Sequence, residues 1–112
     1  LLAWAREHLE QPLTVERLAD QAHMSTRHFA RAFIAETGVT PSKAIERLRV
    51  EAAKERVQES AEPIEIVARQ TGFSDPERMR RAFIRAFGQP PQSLRRSARA
   101  NIVGSQRGQA IA

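Results

Sequence analysis

Two stretches of this chain repeat one another at a spacing of 49 to 50 residues. Ala19, Gln21 and Ser25 match Ala68, Gln70 and Ser74 at an offset of 49. One additional residue near Pro76 then moves the register to 50, and Arg31, Ala32, Phe33, Ile34, Gly38 and Pro41 match Arg81, Ala82, Phe83, Ile84, Gly88 and Pro91. A chain of 112 residues with such a repeat has room for two small subdomains of like design and little else. Most matched pairs are core or cap types, which duplication of a fold accounts for. Arg31 and Arg81 are different, because a core has no need of a matched arginine.

Within each repeat the apolar residues recur at helical spacing and almost nothing reads as a strand. Leu1, Trp4, Ala5 and Leu9 form a first helical pattern that Pro12 closes. Thr14 is placed to cap a helix with Val15, Leu18, Ala19 and Ala22 on its inner face. After a break at His23, Met24 and Ser25, with Ser25 as cap, a second helix turns Phe29, Ala32 and Phe33 inward and stops at Gly38. Two short helices joined by a tight turn are the parts of a helix-turn-helix. From Pro41 to Ser60 a longer pattern carries only the narrow stripe Ile45, Leu48, Ala52 and Val57 among charged residues, as expected of a partly exposed helix. Past Pro63 the design returns. Ile64, Val67 and Ala68 share one helix, Gly72 and Phe73 make the break, and Met79, Ala82, Phe83 and Ala86 share the next, which Gly88 and Pro91 end. Arg95, Arg96 and Arg99 lie in a short closing helix. The predicted fold is all-α with about seven helices: a first helix-turn-helix subdomain over 1–40, a connecting helix over 41–60 and a second subdomain over 61–100. Residues 101–112 are polar and glycine-rich, and a disordered tail is expected there. Leu1 already sits inside an apolar pattern, so the chain reads as a piece of something longer.

Charge points to a partner. The net charge is +5, and the halves share it unequally: nine basic and nine acidic residues up to Ala61, nine and four from Glu62 onward. A basic excess confined to one half suits a polyanion, nucleic acid before an anionic membrane surface. Sixteen of the eighteen cations are arginine, whose planar fork matches phosphate and base acceptors. No apolar run approaches the ~20 residues of a membrane span, no export signal stands at the start, and the absence of cysteine fits a cytoplasmic protein.

In a helix-turn-helix the second helix enters the major groove, and two such helices reach successive grooves on one face when about one helical turn, roughly 34 Å, separates them. The stretch from Pro41 to Ser60 spans about 30 Å as a helix. The lengths agree, and a rigid connector of that size would let one chain do what most helix-turn-helix proteins achieve by dimerising; the alternative is a seven-helix bundle in which this is merely another packed helix, and the narrow stripe and charged flanks favour the connector.

From Leu1 to about Arg96 the sequence resembles the C-terminal DNA-binding domain of AraC/XylS-type transcription regulators. Ile66, Val67, Ala68, Gly72, Phe73, Ser74, Asp75, Arg81, Ala82, Phe83, Gly88, Pro91, Leu94 and Arg95 follow the family's signature in order and spacing. The first half matches in Leu18, Ala19, Met24, Ser25, Phe29, Arg31, Phe33, Gly38, Thr40 and Pro41. Met79 stands where the family often has an aromatic, and Leu94 where it commonly has tyrosine. The resemblance implies two helix-turn-helix subdomains joined by a long helix, double-stranded DNA as partner, and an effector-binding or dimerisation domain upstream of Leu1. RNA polymerase is a further partner it implies. The first half also looks like regulators that carry an amidotransferase-like domain in front. By position, the base-reading candidates are Arg27, Ala30 and Arg31, flanked by Thr26 and His28, and in the second repeat Glu77, Arg78, Arg80 and Arg81. Arg85, one turn further on, is expected on phosphate. Arginine suits guanine N7 and O6, a glutamate accepts from cytosine, and alanine meets a thymine methyl. Half or more of protein–DNA hydrogen bonds go to the backbone, so each arginine has a phosphate reading as well. Glu77 has another: three residues after Ser74, it completes a capping box.

No enzyme site emerges. His8, His23 and His28 lack metal-ligand spacing, thiol chemistry is absent, and the glycines form no phosphate-cradling loop, so neither metal nor cofactor is expected. The competing reading is a helical protein-interaction module without sequence-specific DNA binding. It calls for a broad apolar stripe on an exposed helix and no matched arginines, the reverse of what is found. RNA binding is disfavoured because the phenylalanines keep core spacing.

Overall fold

A computed structural model describes residues 1–100, and the expected tail at 101–112 lies outside the described residues. Six α-helices run in order: α1 (Leu2–Arg6), α2 (Val15–Gln21), α3 (Thr26–Thr37), α4 (Pro41–Glu59), α5 (Ile64–Gln70) and α6 (Pro76–Phe87). Residues 91–100 form a seventh, α7, and no strand occurs among the described residues.

The caps explain where the helices begin and end. The hydroxyls of Thr14, Ser25 and Thr40 accept hydrogen bonds from the amides of Arg17 (3.1 Å), His28 (3.2 Å) and Lys43 (3.2 Å), each satisfying an amide with no partner inside its helix. At α6 the cap is Asp75, whose Oδ1 accepts from Arg78 N at 2.8 Å. Ser74 therefore lies outside the helix, and the capping box between Ser74 and Glu77 does not form. Gly38 and Gly88 close α3 and α6 with the same left-handed φ of 76°.

The first helix is shorter than its apolar spacing predicts. After Arg6 the chain continues in tight turns, with amides donating three residues back (His8 to Ala5 O, 3.0 Å; Gln11 to His8 O, 3.0 Å). Leu9 stays buried all the same. These turns place the carbonyl of Leu9 against Gly72 of the second subdomain and that of Gln11 against Arg49 of α4.

Two cores form, one per repeat. Ala5, Leu18, Ala19, Phe29 and Ile45 make the first, with Trp4, Val15, Phe33 and Leu48 at its border. Val50, Ala53, Val57, Val67, Ala68, Phe73, Met79, Ala82, Phe83 and Leu94 make the second, which Phe87 borders in place of the exposed Ala86. Met79 is fully buried, so the apolar side chain fills its place without an aromatic ring. Helix α4 belongs to both cores, touching α1 and α3 with one part and α5 and α6 with the other. Its buried face is accordingly broader than the narrow stripe read from the sequence. Ala44, Ile45, Arg49, Val50, Ala53 and Val57 are buried, while Leu48 and Ala52 are only half-buried. At about 1.5 Å per residue its 19 residues span roughly 28 Å. The described chain is correspondingly long, 59 × 29 × 23 Å.

Candidate nucleic-acid interface

The two helices that follow the tight turns, α3 and α6, each divide into an inner and an outer face. With about 100° of rotation per residue, Arg27, Ala30, Arg31 and Ile34 form one stripe, opposite the Phe29 and Phe33 that reach the core. On α6 the equivalent stripe is Glu77, Arg80, Arg81 and Ile84, opposite the fully buried Met79 and Phe83. Arg27, Arg31, Glu77, Arg80 and Arg81 are all exposed, and Ala30 is half-buried. Thr26 and His28 are exposed on the flanks of the α3 stripe. Matched arginines thus stand on matched outward faces. The repeat also placed Ile34 and Ile84 among pairs that read mostly as core or cap, yet they are 46% and 39% exposed on those same stripes. Their signal in the sequence was the spacing of three from Arg31 and Arg81.

Two candidates on α6 face elsewhere. Arg78 and Arg85 lie seven apart on one flank, turned toward α4. Arg85 Nη2 donates to Glu46 Oε1 of α4 at 2.8 Å. Arg78 borders the cleft between the subdomains beside Arg49, with its Nη1 3.5 Å from Ser74 Oγ. Glu77 pairs along the stripe with Arg80 at 3.3 Å, both more than half exposed, an ion pair that contributes little and yields readily to a stronger anion.

Arg49 is the residue that sequence reading missed. It lies mid-helix on α4, 7% exposed, at the junction of the two subdomains. Its Nη2 donates to Gln11 O at 3.2 Å, and its Nε is buried without a partner among the described residues. Burial, and then the positive charge of Arg78, lowers its pKa below the ordinary arginine value. It remains charged at neutral pH, since a guanidinium is not deprotonated in proteins. The charged flank of α4 gave no reason to single it out.

Among the described residues no group of three or more His, Cys, Asp or Glu side chains could hold a metal, and no helix is long and apolar enough to cross a membrane.

A family model described as a helix-turn-helix domain matches residues 18–97. The HTH-type transcriptional regulator Rv1931c of Mycobacterium tuberculosis is 40% identical over 83 residues, covering 74% of this chain and 32% of that protein. The multiple antibiotic resistance protein MarA of Escherichia coli is 30% identical over 107 residues, covering 96% of this chain and 82% of that protein. The chain thus spans about a third of the length of Rv1931c and of the HTH-type transcriptional activator RhaS of Pectobacterium atrosepticum, 32% and 35%, but most of MarA. Among solved structures, the DNA-binding domain of the global transcriptional factor AdpA, in complex with a target DNA, superimposes with a TM-score of 0.84 at 37% identity. It covers 89% of this chain and 90% of that one. The C-terminal domain of the response regulator AraT from Geobacillus stearothermophilus gives 0.79 at 26%, covering 85% and 79%.

Proposed function

This chain belongs to the AraC-type helix-turn-helix family, and on that premise we propose that it is the operator-reading part of a transcription regulator, binding double-stranded DNA with sequence preference. One observation carries the reading: the outward stripes of α3 and α6 hold arginines at equivalent places, Arg31 and Arg81, each opposite a phenylalanine that anchors its helix. In this reading α3 and α6 enter successive major grooves on one face of the duplex, with α4 setting their separation near one helical turn. Arg27, Ala30, Arg31, Glu77, Arg80 and Arg81 face base edges, and Thr26 and His28 border them. Arg78 and Arg85 face the backbone. The functional units are a first subdomain over 1–40, the connecting helix over 41–60 and a second subdomain over 61–100.

The greater length of Rv1931c and RhaS leaves room for a further domain, and we propose an effector-binding or dimerisation domain upstream of Leu1, RNA polymerase as a partner and a cytoplasmic site of action. The likeness to a structure that holds its target DNA favours nucleic acid over a protein-interaction module.

Selection of bound sequences from a random duplex pool, followed by a mobility-shift titration at two ionic strengths, tests the reading. The expected result is an enriched motif extending over about two successive major grooves, with affinity that falls steeply as salt rises, because cations on the protein displace counterions from phosphate. A folded chain that binds no duplex at low salt overturns it.

A further inference from the structure

Between the two subdomains runs a cleft of about 410 Å³ bordered by Arg49, Arg69, Arg78, Ser74 and Glu10. Three arginines and one glutamate line it, and Arg78 stands near enough to Arg49 for its charge to act on that guanidinium. The ion pairs among the described residues are Arg56–Glu62, Arg80–Glu77 and Arg85–Glu46, so Glu10 neutralises none of the three. Arg49 is more than nine-tenths buried, and among the described residues its Nη2 bond to the Gln11 carbonyl is the one hydrogen bond its guanidinium makes. The buried Nε has no partner among the described residues.

As a device for stability this arrangement is poor. A guanidinium withdrawn from water beside another positive charge is disfavoured, and an apolar side chain of similar size would fill the place of Arg49 at less cost. Yet the fold makes room for it. Gly72 sits against the guanidinium, and a β-carbon there would stand 2.6 Å from Nε and 2.8 Å from the guanidinium carbon. An anion in the cleft supplies what the arginines lack, a common counter-charge, with the Ser74 hydroxyl as a neutral donor beside them, while the Nε of Arg49 stays covered by Gly72.

The position of the cleft says which anion. Ser74 and Arg78 frame the start of α6, and Leu13 and Thr14 at the start of α2 border the same opening. It lies between the start of the reading helix α6 and the start of α2, the helix that precedes the other reading helix α3. When the two reading helices occupy successive major grooves, the duplex that crosses the gap turns its minor groove, edged by the two backbones, toward the protein. We infer that the cleft between the subdomains binds one backbone phosphate of the central duplex through Arg49, Arg69 and Arg78, clamping the DNA at the junction of the two units. This rests on the DNA reading proposed above.

The test scans a selected duplex with single methylphosphonate linkages, which remove one phosphate charge at a time, against the parent chain and the variants Arg49→Met and Arg69→Gln. Arg69 is exposed, so its variant keeps the fold should the buried substitution not be tolerated. The expected result is one linkage between the two base-contact regions whose neutralisation weakens the parent about tenfold, the size of one charge-assisted contact, and weakens the variants distinctly less. Sequence preference stays as in the parent. Equal sensitivity in parent and variants, or no sensitive linkage in the central stretch, overturns the clamp while leaving the DNA reading intact. Failure to bind any duplex overturns both. Inorganic phosphate at constant ionic strength is the second arm: if it raises the melting temperature of the parent but not of Arg69→Gln, and central linkages are silent, the cleft takes a free anion and the DNA source is wrong.

Discussion

His23 and Gly72 hold the same place in the two tight turns, 49 residues apart, and both are left-handed, with φ of 58° and 88°. The turn demands that conformation in each repeat; the surroundings decide which residue meets the demand. His23 is exposed and tolerates a side chain at some cost in backbone strain. At Gly72 a β-carbon would overlap the Leu9 carbonyl and crowd Arg49, because the first subdomain closes over that turn.

Opposite outcomes follow for substitution at the two sites. His23→Gly should raise stability by about 0.5–1 kcal/mol, the relief of a left-handed β-carbon less the added freedom of glycine in the unfolded chain. Gly72→Ala should cost about 3 kcal/mol or more, since backbone must move. Urea denaturation of both variants checks this, and equal effects would show that crowding at Gly72 is unimportant.

Glu62 accepts from Arg56 Nε at 3.1 Å and Nη2 at 2.6 Å, fastening the end of α4 to the loop before α5. The Arg56 hydrogen bonds hold its carboxyl below the ordinary glutamate value of 4.5, against a smaller opposing effect of desolvation. A depressed carboxyl stabilises the fold above its unfolded pKa and loses that contribution as pH falls through the folded one. Carboxyl-detected NMR titration should place the Glu62 midpoint below 4.5 in the parent and nearer to it in Arg56→Gln. A midpoint unmoved by that substitution would dissociate the shift from the pair.

Much of this architecture could be read without coordinates, because caps and periodicity are local. Thr14, Ser25 and Gly38 do at their helix ends what their side chains, or the lack of one, dictate. What escaped was set by contacts between repeats. Arg49 reads as one more charge on a charged helix until two subdomains close around it. Asp75 displaced Ser74 as the cap because the additional residue near Pro76 shifts the start of α6 by one. Likewise the direction of Arg85 depends on where α4 passes, which no local pattern encodes.

That direction changes what Arg85 does. In the free protein it is held by Glu46 at 2.8 Å, so contact with phosphate requires exchange of one anion for another. Glu46→Gln should strengthen binding to all duplexes alike by about two- to fivefold at low salt, with stability changed by less than about 0.5 kcal/mol, as befits an exposed pair. Arg85→Ala should weaken all sequences alike and lower the salt slope by about one unit. Mobility-shift titrations over a salt series distinguish these results from a purely structural pair, for which neither variant would alter the slope.

Arg31 and Arg81 offer the sharpest test, because duplication placed them at equivalent points and neither makes a hydrogen bond or ion pair within the described residues. Each lies two residues before an inward phenylalanine, Phe33 and Phe83, so its direction is fixed by core packing on the other side of its helix. If both read bases, Arg31→Ala and Arg81→Ala should each relax preference at a different position of the selected motif, about one helical turn apart. The lost discrimination should be roughly 1–3 kcal/mol per bidentate contact. Because α4 fixes the separation, the two effects should also add when the substitutions are combined, as expected of distant sites without shared partners. Sequence selection with parent, single and double variants measures all of this. A uniform loss of affinity with preferences unaltered would make both arginines phosphate contacts and leave specificity to the rest of the stripes or to DNA shape.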